Sequence, residues 1–96
     1  MTPTLGRIVH YRGREGLHAM RAAIVTADIN SLDQRGVGAG KIQALTDDTH
    51  VHLWVFTPSM AGGFAEFNVA EGEPGEDGLI PPGTWTWPPR IPVVLA

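Results

Sequence analysis

His50 and His52 stand two apart in the run His50-Val51-His52-Leu53-Trp54-Val55-Phe56, the spacing that puts two side chains on one face of a strand. Two imidazoles so placed reach one metal ion if a third ligand joins them, and His10, His18, Asp47 and Asp48 have suitable chemistry. Two surface histidines on the polar face of a half-buried strand would look the same and require nothing more. No metal or other cofactor is therefore assigned, and His50 and His52 stand only as metal candidates.

The densest segment is Trp85-Thr86-Trp87-Pro88-Pro89-Arg90. Tryptophans at i and i+2 project to one side of an extended strand. They either cap one open end of a small domain or form an aromatic anchor for a partner, since Trp and Arg dominate interface energetics. Arg90 is placed to stack on either ring. The expected partner-binding set is Trp85, Trp87 and Arg90, joined by Arg7, Arg12 and Arg14 from the basic N-terminal part.

Support for catalysis is thin. Ser31 and Ser59 lack a nucleophile-elbow context, and Gly36-Val37-Gly38-Ala39-Gly40-Lys41 lacks the spacing of a phosphate-binding loop. The carboxylates of 71–77 sit in a solvated loop where nothing raises a pKa. The chain is read as a non-enzyme. Arg7, Arg12, Arg14 and Arg21 with Tyr11 suggest phosphate contacts and stacking, but overall acidity and scarce lysine argue against a nucleic-acid partner.

The elements must position these residues within 96 residues, with no Cys, 12 Gly, 8 Pro and a formal charge of −3. That length gives one domain, 1–96, burying about 60–68% of its unfolded surface. The absence of Cys excludes disulfide scaffolds, thiol catalysis and thiolate metal sites. At 43% hydrophobic and 18% charged the chain is too apolar to be disordered, and its Gly and Pro disfavour a helical bundle. No apolar run suits a signal peptide or a membrane span, so a soluble product of the cytoplasm without a membrane partner is expected. Charge is uneven along the chain. Residues 1–41 hold six basic residues and three acids, residues 42–89 hold seven acids and no Lys or Arg, and Arg90 follows. Such polarity suits docking on copies of the chain or on a charged partner, unless the fold interleaves the segments.

Leu5–Tyr11 reads as a first strand and residues 12–16 as a polar glycine loop. Met20–Ala27 is a strand rather than a helix because Ile24-Val25-Thr26 are β-branched. Residues 28–40 form a long loop with one helical turn near Ser31–Arg35. Lys41–Leu45 begins another strand, Asp47-Asp48 is the corner of a hairpin, and His50–Phe56 returns. In that run Val51, Leu53 and Val55 share one face, and Trp54 and Phe56 give the other face apolar bulk, which predicts the central strand. Phe64–Val69 alternates as a strand, 70–78 is an acidic glycine-rich loop, and Thr84–Trp87 is either a short edge strand or an extended polyproline-like piece, closed by prolines. Ile91–Leu95 is an apolar tail. Five or six short strands between such turns predict an all-β fold, a small antiparallel barrel of SH3-like type with an OB-like barrel as the alternative.

Gly6-Arg7-Ile8-Val9-His10-Tyr11, Arg21-Ala22-Ala23-Ile24-Val25-Thr26 and Pro82-Gly83-Thr84-Trp85-Thr86-Trp87-Pro88-Pro89-Arg90, in this order, resemble a family of small proteins encoded by bacteriophages and prophages of actinobacteria. The likeness covers both ends and the second strand, not the middle. The loop Gly36–Gly40 and the tail Ile91–Ala96 depart from the family pattern. The resemblance implies provenance rather than an activity, and no catalytic residue carries over. It leads to the expectation of a virion accessory protein, a capsid decoration or minor capsid protein that binds capsid or another virion protein and has scope to form homo-oligomers. The other expectation is a soluble small-ligand- or protein-binding module that modulates the host.

Overall fold

The structure is a computed structural model describing residues 2–13, 20–57 and 62–89. Arg14, His18, Pro58, Ser59, Arg90 and the tail Ile91–Leu95 lie outside the described residues. Five strands and one short helix succeed one another: β1 (Ile8–Arg12), β2 (Met20–Ala27), α1 (Gln34–Gly38), β3 (Val51–Phe56), β4 (Gly63–Val69) and β5 (Trp85–Thr86). The strands form one antiparallel sheet in the order β4-β3-β2-β1-β5. The all-β expectation holds.

The sheet is barrel-like, as expected, but it is not closed. β4 and β5 are the free edges of the sheet, joined among the described residues by one isolated parallel bridge, Glu71 with Trp85, just beyond the end of β4. The sheet nevertheless curls. Residues on β1 and β4 would lie about 14 Å apart in a flat sheet, yet the Tyr11 and Phe64 rings meet edge to face with centroids 6.3 Å apart. The Trp85 indole N–H likewise crosses from β5 to the segment entering β3, donating to the Thr49 carbonyl oxygen at 3.0 Å.

Alternation explains the core. Val9 and Tyr11 of β1, Ala23 and Val25 of β2, and Val51, Leu53 and Val55 of β3 point to the concave face and are buried, together with Val69 and Trp85. β3 is paired on both sides, but β2 is the middle strand, which corrects the expected central position. The apolar Trp54 and Phe56 that suggested burial of both faces are in fact exposed at the convex face.

Lys41–Leu45 does not form the expected strand, and Asp47-Asp48 is no hairpin corner between strands. The amides of Lys41 and Ile42 donate to the Gly36 carbonyl at 2.9 and 3.1 Å, so they finish α1 instead of entering a ladder. The helical turn itself lies slightly later than expected, capped by Asp33, whose Oδ1 accepts from the Arg35 amide.

Candidate functional site

The last strand divides the two tryptophans. β5 ends at Thr86, so Trp87 leaves the strand instead of repeating the orientation of Trp85. Trp85 is fully buried, and its ring is part of the core. This corrects its expected place on a partner surface: Tyr11 opposite it on β1 and the Thr49 carbonyl account for both its apolar body and its polar handle. Trp87 packs edge to face on Trp85, centroids 5.3 Å apart at 90°, and keeps part of its surface open.

Trp87 lines a pocket of about 360 Å³ together with His10, Met20, Thr86, Leu79 and Pro89. His10, Met20 and Thr86 reach it from the convex side of β1, β2 and β5, because His10 pairs with Thr86 and Met20 with Arg12. Pro74, Gly78, Leu79 and Ile80 come from the chain between β4 and β5, which also carries Glu73, Glu76 and Asp77. The lining is thus largely apolar and one of its walls belongs to an acidic segment. The indole N–H of Trp87 is buried with no hydrogen-bond partner among the described residues. An unmet buried donor costs about 1–3 kcal/mol.

The arginines have different tasks. Arg12 Nη1 donates to the Ile80 carbonyl oxygen at 2.6 Å, tying the acidic segment to β1. Arg7 is exposed just before β1, and its carbonyl accepts from Val25. The two are five residues apart along an extended chain, about 17 Å, and do not form one cluster. Arg14 and Arg90 lie outside the described residues. The charge segregation of the sequence is partly interleaved, since the acidic segment folds back against the edge of the basic β1.

The histidine pair is not a metal site as placed. His50 lies in the turn before β3, and its Nδ1 is 2.7 Å from Asp47 Oδ1. His52 is buried. Its Nδ1 accepts from the Asn68 amide at 3.0 Å and its Nε2 lies 2.7 Å from the Gln43 carbonyl oxygen, so the ring bridges two segments with both nitrogens engaged. No group of three or more His, Cys, Asp or Glu able to hold a metal occurs among the described residues. Ser31 is likewise structural, exchanging hydrogen bonds with Asp28: Ser31 N to Asp28 Oδ1 at 2.7 Å and Asp28 N to Ser31 Oγ at 2.8 Å. Burial raises the Asp28 pKa, but these Ser31 bonds and further backbone amides outweigh it and leave the carboxyl below its ordinary value.

Sequence reasoning did not find Met20, Leu79 and His10 as neighbours of Trp87, because they meet only through strand register and a long loop. The convex apolar face was within reach: Trp54 and Phe56 alternate with three valine and leucine positions on β3. No helix among the described residues is long and apolar enough to cross a membrane. No family model, curated protein or solved structure matches the chain.

Proposed function

We propose that this chain is a non-enzymatic binding protein of a phage particle, an accessory that decorates or completes the capsid by docking on a repeating protein surface. The observation that carries the binding role is Trp87: partly open, fixed at right angles on a buried ring, and lining a largely apolar pocket. The fixed ring gives a partner apolar contact at little entropic cost. The particle as partner rests on the resemblance of both chain ends to actinobacteriophage proteins. On a lattice of identical sites, contacts that are individually weak add through avidity. Arg12 holds the pocket wall through the Ile80 carbonyl.

The test is mass spectrometry of purified particles of the encoding phage. The chain is expected in intact virions, and its absence overturns the reading. Trp87→Ala is expected to abolish particle association while β-sheet circular dichroism persists. A second reading, a soluble small-ligand-binding module acting on the host, is favoured by the size of the pocket, which falls within the usual ~300–1,000 Å³ of ligand sites. It requires the chain to be absent from particles and the Trp87 pocket to titrate with a small apolar ligand.

A further inference from the structure

The pocket beside Trp87 joins two kinds of chemistry. Its lining is apolar where Met20, Leu79, Pro74 and Trp87 meet. At about 360 Å³ it lies at the lower end of the range of ligand sites, with room for one long side chain rather than a folded element. One wall is the segment between β4 and β5. Glu73 adjoins the lining residue Pro74, Asp77 adjoins Gly78, and Glu76 stands between them, all three exposed. Residues 70–89 hold four acids and no Lys or Arg. The rim of an apolar pocket is thus charged with one sign.

This wall is held in place. The Gly75 amide donates to the Leu79 carbonyl oxygen at 2.9 Å, the Gly78 amide to the Gly75 carbonyl oxygen at 2.9 Å, and the Leu79 amide to Asp77 Oδ1 at 3.0 Å. These bonds close the acidic turn on itself, and Arg12 fastens its end through the Ile80 carbonyl oxygen at 2.6 Å. The nearby cations do not cancel the acids. Arg12 shares the convex side of β1 with His10 and is committed to that carbonyl. Arg21 follows Met20 but pairs with Tyr11, so it stands on the concave side. On the formal count with His neutral, three acids against one arginine leave an excess of two negative charges. An apolar cleft rimmed by one sign of charge focuses the field and draws the opposite charge to it.

We infer that the pocket takes a lysine or arginine side chain of the partner protein, its aliphatic stem along Met20, Leu79 and Trp87 and its cationic head at Glu73, Glu76 and Asp77. This rests on the binding role proposed for Trp87 and adds the chemistry of what is bound. Lys and Arg bury a methylene stem on apolar surface while the charged head stays at the water boundary. The pocket offers the same division: apolar lining within, carboxylates at the rim. An acidic side chain would meet like charge there, and a wholly apolar one would gain nothing from the rim. The open part of the Trp87 ring adds cation–π attraction. Exposed ion pairs contribute little one at a time. A single site therefore binds weakly and becomes firm on a repeated array.

Three blocked tripeptides, glycine-X-glycine with X as lysine, Nε-acetyl-lysine or glutamate, test this against the full chain. Binding is read by NMR at the Met20 methyl and the Trp87 indole. The lysine peptide is expected to bind about fivefold tighter than the acetyl-lysine peptide, which has the same stem and no charge, and the glutamate peptide to bind weakest. The preference is expected to vanish in Glu73→Gln/Glu76→Gln/Asp77→Asn and to shrink as salt is raised. Asp77→Asn keeps an oxygen for the Leu79 amide. If circular dichroism shows the triple variant unfolded, Glu73→Gln/Glu76→Gln carries the test. Equal binding of the lysine and acetyl-lysine peptides overturns the inference, as does a preference unchanged in the neutralised variant, or no shift with any peptide. Particle association judges the capsid role separately. Its loss in Trp87→Ala but not in the neutralised variant overturns the cationic ligand and leaves the capsid role standing. Absence of the chain from particles, with lysine selectivity intact, overturns the capsid role and leaves the ligand.

Discussion

Trp85 and Trp87 differ by two positions and by their whole energetic role. Trp85 fills the concave core and satisfies its indole on the Thr49 carbonyl, whereas Trp87 rests against it with an open side and an unmet N–H. Replacing Trp85 by Ala deletes a fully buried ring and is expected to cost about 3–5 kcal/mol, a large part of the ~5–15 kcal/mol that holds a domain together. Trp85→Phe keeps ring bulk but abandons the Thr49 carbonyl, for an expected loss of about 1–3 kcal/mol. Trp87→Ala removes no hydrogen bond and relieves an unmet donor, so its loss is smaller than that of Trp85→Ala. Urea unfolding of the three variants orders them, and equal losses for the two Ala variants would place both rings in the core. Here the sequence was legible in kind but not in detail. Residue types marked the segment, yet i and i+2 spacing assigns a common side only while the strand lasts, and this strand is two residues long.

Where a strand's donors and acceptors go decides which apolar runs become elements. Met20–Ala27 and Val51–Phe56 were readable because β-branched and aromatic residues alternate there and both strands find ladders on each side. Lys41–Leu45 has similar residues but gives two amides to Gly36 and the Gln43 carbonyl to His52. Periodicity does not register that competition. The turn before β3 is likewise built by a side chain. Asp47 Oδ1 accepts from His50 Nδ1 at 2.7 Å, from Thr49 Oγ1 at 2.7 Å and from the Thr49 and His50 amides. The His50 bond first, then those from Thr49, hold the Asp47 carboxyl well below the usual carboxylate range. A carboxyl depressed in the folded state stabilises fully above its unfolded value near 3.9, and that contribution drains as pH falls toward the folded value. The stability gap between wild type and Asp47→Ala should therefore narrow as pH falls below about pH 4. Chemical denaturation at stepped pH measures it. A gap that does not change with pH would show that the carboxylate charge contributes nothing to the turn.

At the scale of the whole molecule, a sheet of five strands makes an enclosed core without closing on itself. Tyr11 and Phe64 meet across the curl, and the chain after β4 reaches β5 through backbone bonds alone: Trp85 N to the Ala70 carbonyl at 3.0 Å and Gly72 N to the Trp85 carbonyl at 2.8 Å. Arg12 holds the same returning segment from the other side, through the Ile80 carbonyl. Composition and alternation predicted the strands of such a barrel. They did not predict that its last seam would be one bridge, because closure depends on how tightly the acidic segment fits against Thr84 and Ile80. Gly72 is the position where that fit is closest. A Cβ there would meet Thr84 Oγ1, and would lie 2.8 Å from Thr84 Cβ and 2.9 Å from Ile80 Cβ. Gly75, three residues on, leaves ordinary room, its nearest atom being Asp77 Oδ1 at 3.5 Å. Gly72→Ala should push the segment off β5 and cost about 1–3 kcal/mol by overpacking, while Gly75→Ala, at a position without that crowding, should cost less. The damage should also be local, since β2, β3 and β4 pair independently of the seam. Amide hydrogen exchange reads this directly. In Gly72→Ala, Trp85 and its β1 neighbours should lose protection while Val25, Leu53 and Val55 retain theirs. Uniform loss across all five strands would mean that the single bridge is not a separable seam and that the open sheet folds and fails as one unit.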